Sequence, residues 1–74
     1  MSEVRTMISG LQLKLNSTTS SHIYTVLIEF GPFDGFYVSV ITEYEEALAL
    51  DLESMKMLRD ALTKMIDIKE KEQR

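Results

Sequence analysis

Few side chains in this chain are of the types that act as nucleophiles or general bases. His22 is the only histidine, and the 74 residues include no cysteine. A Cys–His pair and the usual zinc ligand sets are therefore excluded. No serine lies in a G-x-S-x-G turn, and the three glycines form neither a P-loop nor a dinucleotide fingerprint. We predict that His22 is structural, that the protein is not an enzyme, and that it needs no cofactor.

Carboxylates are the remaining groups with binding chemistry. Five of them follow or flank an apolar stretch and are named here the acidic edge: Glu43, Glu45, Glu46, Asp51 and Glu53. Oxygen ligands suit Mg²⁺ and Ca²⁺, but the D-x-D-x-D-G calcium loop is missing. We interpret the acidic edge as a solvated surface that binds a basic partner, and we predict no metal site.

The charges are segregated along the chain. The net charge is −4, and the stretch between Leu15 and Met55 holds no Lys or Arg. The basic residues all lie outside that stretch, at Arg5, Lys14, Lys56, Arg59, Lys64, Lys69, Lys71 and Arg74. This distribution predicts an acidic sheet and a C-terminal segment of mixed charge, and it argues against nucleic-acid binding on the sheet.

Residues 22–44 have the composition of a β-hairpin, with strands at about 22–30 and 36–43. Val, Ile, Tyr, Phe and Thr dominate both arms, and the sequence GPFDG between them is typical of a turn. If Phe30 pairs with Phe36, alternation of side chains defines two faces. The predicted core face contains His22, Tyr24, Val26, Ile28, Phe30, Phe36, Val38, Val40, Thr42 and Tyr44.

The second face of this hairpin is too apolar for a surface in contact with water alone. It carries Ile23, Leu27, Tyr37 and Ile41 among polar residues. A chain of this size buries a modest core, and without cysteine it cannot be stabilised by disulfide bonds. We therefore predict a homodimer or another partner that covers this face. Phe33, in the turn, either anchors such a partner or folds back onto the sheet.

The rest of the chain predicts one further strand and a helix. Leu11 to Leu15 alternates apolar and polar residues, and residues 52–70 carry an apolar stripe at helical spacing. We expect this stripe to face the core; it comprises Leu52, Met55, Leu58, Leu62, Met65 and Ile66. Residues 1–9 fit no single element, although Val4, Met7 and Ile8 suit a strand.

The segment between the hairpin and the helix has two interpretations. In the first, residues 47–50 form another strand, and Asp51 caps a helix that begins near Leu52. In the second, the helix begins at Thr42, where T-E-Y-E matches a capping box. The first is favoured because the second requires a helix of nearly 30 residues.

These elements predict a single domain over residues 1–74 with an α+β fold. Its architecture is a three- or four-stranded antiparallel β-meander followed by one C-terminal α-helix packed on one sheet face. No apolar run approaches the roughly 18 residues of a membrane span, and the first residues do not form a signal peptide. We therefore expect a cytoplasmic protein that does not bind membranes.

The function that these observations favour is a small acidic, non-enzymatic protein–protein interaction module. In composition the chain resembles small acidic α+β inhibitors made by phages, and this resemblance implies mimicry of nucleic acid by the acidic edge against a basic protein surface. One alternative is a nucleic-acid-binding transcriptional regulator that uses Lys56, Arg59, Lys64 and Lys71 of the helix. Another is a structural adaptor subunit.

Overall fold

The computed structural model describes residues 3–18, 23–33, 35–41 and 48–72. The elements in chain order are β1 (Glu3–Met7), β2 (Gly10–Asn16), β3 (Ile23–Phe30), β4 (Phe36–Ile41) and α1 (Leu52–Glu72). The strands form one antiparallel sheet in the order β1-β2-β3-β4, so every strand pairs with its neighbours in sequence. The predicted meander followed by a C-terminal helix is confirmed.

The fourth strand comes from the N-terminus and not from residues 47–50. Strand β1 pairs with β2 through Val4 opposite Leu13. Leu50 forms only an isolated bridge with Ser17, so the strand expected at residues 47–50 is wrong for the described residues 48–50. The rival helix beginning at Thr42 is also wrong, because residues 48–51 are not helical; residues 42–47 lie outside the described part of the chain.

The predicted register of the hairpin is confirmed. Phe30 pairs with Phe36, and their rings lie 5.8 Å apart between centroids. The same face continues away from the turn with two further pairs, Ile28 opposite Val38 and Val26 opposite Val40. The predicted positions His22, Thr42 and Tyr44 lie outside the described residues.

The core lies between this face of the sheet and the helix. Its buried apolar side chains come from β2, β3 and α1: Leu11, Leu13, Leu15, Tyr24, Val26, Ile28, Ala61 and Met65. The helix contacts β2 most extensively and β3 less. Within the described residues no element covers β4, and all six of its residues are exposed.

Hydrogen bonds fix the start of the helix against the end of β2. The Ser54 backbone N–H donates to Asp51 Oδ1 at 2.7 Å, and the Asn16 backbone N–H donates to Ser54 Oγ at 3.0 Å. The prediction that Asp51 caps a helix beginning near Leu52 is therefore confirmed. The preceding residues are held as well, because the Thr18 backbone N–H donates to the Ala49 carbonyl at 2.7 Å.

Candidate interaction surfaces

Two uncovered apolar surfaces in the described part of the chain include residues of β4. The first lies on the outer face of the sheet, away from the helix. The second lies on the helix side, between β4 and α1. Because β4 is an edge strand, its outward backbone groups also lack a neighbouring strand within the sheet. Strand β4 therefore combines an open edge with exposed apolar side chains on both of its faces.

The outer cluster comprises four of the five residues predicted for a partner or dimer face, all except Phe33: Ile23, Leu27, Tyr37 and Ile41. The structure brings them together on one face. Ile41 pairs with Thr25, which lies between Ile23 and Leu27 on the same face of β3. Tyr37 pairs with Glu29, the next residue of that face after Leu27. The side chains of Ile23, Tyr37 and Ile41 are at least half exposed, and Leu27 is partly buried. No described element of the chain packs on this face.

Polar and charged side chains surround the outer cluster. Lys14 Nζ donates to Thr25 Oγ1 at 2.7 Å, and Ser9 Oγ donates to Glu29 Oε2 at 2.8 Å. Strand β1 adds Arg5 to the same face, opposite Gln12. The described outer face therefore carries both signs of charge, because Glu3 and Glu29 lie on it together with Arg5 and Lys14.

Phe33 projects from the β3–β4 turn into solvent. Its side chain is 99 % exposed, so the alternative in which the ring folds back onto the sheet is wrong. Its backbone has a φ of 59°, in the left-handed region that a bulky residue adopts at a cost of about 1–2 kcal/mol. The turn thus presents an aromatic ring from a strained position beside one end of β4.

The second uncovered surface is an apolar groove that sequence reasoning missed. It is lined by Ile28, Phe36, Val38, Leu62, Met65 and Ile66 and has a volume of about 260 Å³. Its floor is the helix side of β4, where Val38 is 58 % exposed, and its wall is one flank of the helix, where Ile66 is 50 % exposed. A smaller groove of about 170 Å³ lies on the opposite flank, between β1 and the helix.

This groove corrects two expectations about the core. Phe36, Val38 and Val40 were expected in the core but are exposed, and four of the six residues in the expected helix stripe are exposed too: Leu52, Met55, Leu62 and Ile66. The reason is geometric. A helix is roughly 10 Å across, whereas four strands about 4.8 Å apart make a sheet nearly twice as wide. One helix over β2 and β3 therefore leaves β4 uncovered.

The acidic edge is only partly described. Glu43, Glu45 and Glu46 lie outside the described residues. Asp51 serves the helix cap, and hydrogen bonds from the Ser54 hydroxyl and backbone N–H lower the pKa of its carboxyl group. Glu53 is exposed and lies 3.9 Å from Lys56 Nζ. Nothing in the described residues joins Asp51 and Glu53 into a common binding site.

Three of the four basic helix residues proposed for nucleic-acid binding have an acidic neighbour. Lys56 lies near Glu53, Arg59 Nε lies 3.0 Å from Asp60 Oδ1, and Lys71 Nζ lies 3.1 Å from Asp67 Oδ2. Lys64 lines the smaller groove beside Asp60. These acids reduce the local positive potential that phosphate binding requires.

Within the residues that the structure describes, no group of three or more acidic or histidine side chains is arranged to hold a metal ion. Among the described residues, no helix combines the length and the apolar content that a membrane span requires. Comparison of the chain with protein-family models, curated proteins and solved structures finds no match. The candidate surfaces are therefore interpreted from their own chemistry.

Proposed function

We propose that this protein is a non-enzymatic protein–protein interaction module that binds its partner through the outer cluster. The observation that carries this proposal is the uncovered group of Ile23, Leu27, Tyr37 and Ile41 on one sheet face, surrounded by hydrogen-bonded polar residues. An apolar centre with a polar rim is the usual anatomy of a protein–protein interface.

The chemistry of this face indicates the kind of partner. Tyr37 supplies an exposed aromatic side chain with a hydroxyl group, a residue type enriched among those that dominate binding energy. Lys14, Arg5 and Glu29 place both signs of charge around the apolar centre. A partner surface with an apolar patch and mixed charge complements this arrangement. Phe33, at the adjoining turn, extends the same surface.

The acidic edge offers a more specific form of the proposal, in which the protein mimics nucleic acid and blocks a basic groove of its partner. The high density of carboxylates at residues 43–53 supports it. Binding of this kind weakens steeply with salt and is lost when Glu43, Glu45 and Glu46 are changed to Lys. Binding that is indifferent to both changes contradicts mimicry and leaves the outer cluster as the recognition surface.

The test of the outer cluster is affinity capture with matched variants. The chain is immobilised, and proteins retained from an extract of the producing cell are quantified by mass spectrometry. Ile23→Ala and Ile41→Ala remove apolar contact from the outer cluster. Ile8→Ala is the control, because Ile8 is a fully exposed isoleucine in the β1–β2 turn, outside the cluster. We expect the first two variants to lose a specific partner that the control retains.

Equal retention by all three variants would refute the outer cluster as the binding surface. The identified partner then allows a direct measurement by isothermal titration. A loss of about 1 kcal/mol or more per truncation is expected for residues at the centre of an interface. Circular dichroism of each variant establishes that the fold is intact, which exposed positions on a sheet favour.

A further inference from the structure

The helix-side groove lies where the sheet extends beyond its own helix. The sheet has four strands, and the only helix in the described chain lies mainly over β2. A second helix, roughly 10 Å across, is needed to cover β4. The groove that it would enter has entirely apolar lining side chains, from Ile28 and Phe36 on the sheet to Leu62 and Ile66 on the helix.

The helix carries a second, exposed apolar stripe, and two of its residues, Leu62 and Ile66, line this groove. Leu52, Met55, Leu62 and Ile66 are all exposed, and their positions follow the alternating spacing of three and four residues with Arg59 between them. This spacing forms a seam that packs one helix along another. The buried contacts of the helix with its own sheet use different positions, Ser54, Ala61 and Met65. The helix thus has one face for its own sheet and a separate seam for another helix.

We infer that a second copy of this chain supplies that helix, so that the protein is a two-fold symmetric dimer in which the two α1 helices pack antiparallel beside β4. The same stripe on both copies is self-complementary, as a two-fold interface requires. The one charged position within the stripe carries its own counter-ion, because Arg59 Nε donates to Asp60 Oδ1 at 3.0 Å. The seam therefore does not bring two uncompensated charges together.

The available area supports a stable dimer. The exposed side chains of the stripe and of the groove floor number seven: Phe36, Val38, Val40, Leu52, Met55, Leu62 and Ile66. At about half exposure, and with roughly 150–200 Å² for each large side chain, they offer on the order of 600 Å² of apolar surface per copy. A standard interface buries about 800 Å² per partner, including its polar rim.

The wholly apolar chemistry of the groove distinguishes it from the outer cluster. A permanently exposed apolar groove next to an edge strand promotes aggregation unless it is covered at all times. A second copy is the one partner that is present whenever the chain is made. The dimer leaves the outer cluster accessible, so this inference does not depend on the proposed function.

The first test is the mass of the protein in solution. The chain has a mass of 8.5 kDa, and sedimentation equilibrium of the wild type at micromolar concentration should give twice this value. Ile66→Glu places a charge in the seam and should raise the dimer dissociation constant by about tenfold or more. Ile8→Glu makes the same chemical change at an exposed position outside the groove and should leave the dimer intact. A monomeric wild type at high micromolar concentration would overturn the inference.

Cysteine cross-linking provides a second test that tolerates unstable variants. The chain has no cysteine, so a single introduced thiol forms only intermolecular disulfides. Residue 59 lies at the centre of the stripe, so in an antiparallel pair it faces its own copy. Under mild oxidation, Arg59→Cys should therefore yield a covalent dimer on a non-reducing gel. Tyr37→Cys, on the outer face, should not. Efficient cross-linking through residue 37 and not through residue 59 would place the dimer interface on the outer face and overturn the inference, while the affinity capture separately tests the outer cluster.

Discussion

The backbone N–H of Asn16 donates a hydrogen bond to the hydroxyl oxygen of Ser54 at 3.0 Å, across 38 positions of sequence. Ser54 is completely buried and lies three residues after the helix cap Asp51. One hydroxyl group therefore joins the last residue of β2 to the first turn of the helix. This contact holds the start of the helix against the end of β2.

Ser54→Ala should destabilise the protein by about 1–3 kcal/mol, because it removes a completely buried hydroxyl that accepts a hydrogen bond from the partly buried N–H of Asn16. The measurement is urea denaturation followed by circular dichroism. Thr63→Ala is the matched control, since it removes an exposed hydroxyl of the same helix that bonds only the Arg59 carbonyl, at 2.9 Å. We expect that control to lie within about 0.5 kcal/mol of the wild type. Equal stability of both variants would show that the buried contact contributes nothing.

The cap also predicts a dependence of stability on pH. Hydrogen bonds from the Ser54 hydroxyl and backbone N–H lower the pKa of Asp51 in the folded protein below its ordinary value of 3.8. A lowered pKa contributes stability above the unfolded value, and that contribution disappears as the pH falls through the folded pKa. The wild type should therefore exceed Asp51→Asn in urea midpoint at neutral pH, and the gap should close below about pH 3.8. A gap that is unchanged by acid would contradict this account of the cap.

Gly10 should tolerate no side chain. It begins β2, and a Cβ built there would overlap the carbonyl oxygen of Ile28 and lie 2.8 Å from the Cα of Glu29. Both neighbours are backbone atoms of the adjacent strand, so relief requires the strands to move apart. We expect Gly10→Ala to cost about 2–3 kcal/mol in a urea denaturation experiment. Gly35→Ala is the control, because its nearest contact is the Pro32 carbonyl oxygen at an ordinary 3.4 Å; a smaller loss for Gly10→Ala than for Gly35→Ala would contradict the prediction.

The sequence predicted the hairpin well because alternation and turn chemistry act locally. The pairing of Phe30 with Phe36 and the cap at Asp51 both follow from residues that are close in sequence. Strand β1 escaped prediction because four of its five residues are exposed, so EVRTM lacks a buried alternating pattern.

The groove beside β4 escaped prediction for a different reason. The apolar pattern of Val38 and Val40 is the same whether a helix covers them or not. Which strands the helix covers depends on long-range contacts such as the one between Asn16 and Ser54. Periodicity identifies an apolar face, but it does not reveal whether this chain or another copy provides the cover.

The conformation of Phe33 costs stability, while its exposed ring is available for binding. A phenylalanine with a φ of 59° stores strain that asparagine, whose short polar side chain tolerates this region, largely avoids. Because the ring is 99 % exposed, its removal sacrifices almost no packing within the chain. Phe33→Asn should therefore raise the free energy of unfolding by about 0.5–1 kcal/mol. If the strain is maintained for recognition, the same variant should also bind the captured partner more weakly, measured by isothermal titration. A variant that is both more stable and equally tight in binding would show that the ring has no role in the interface.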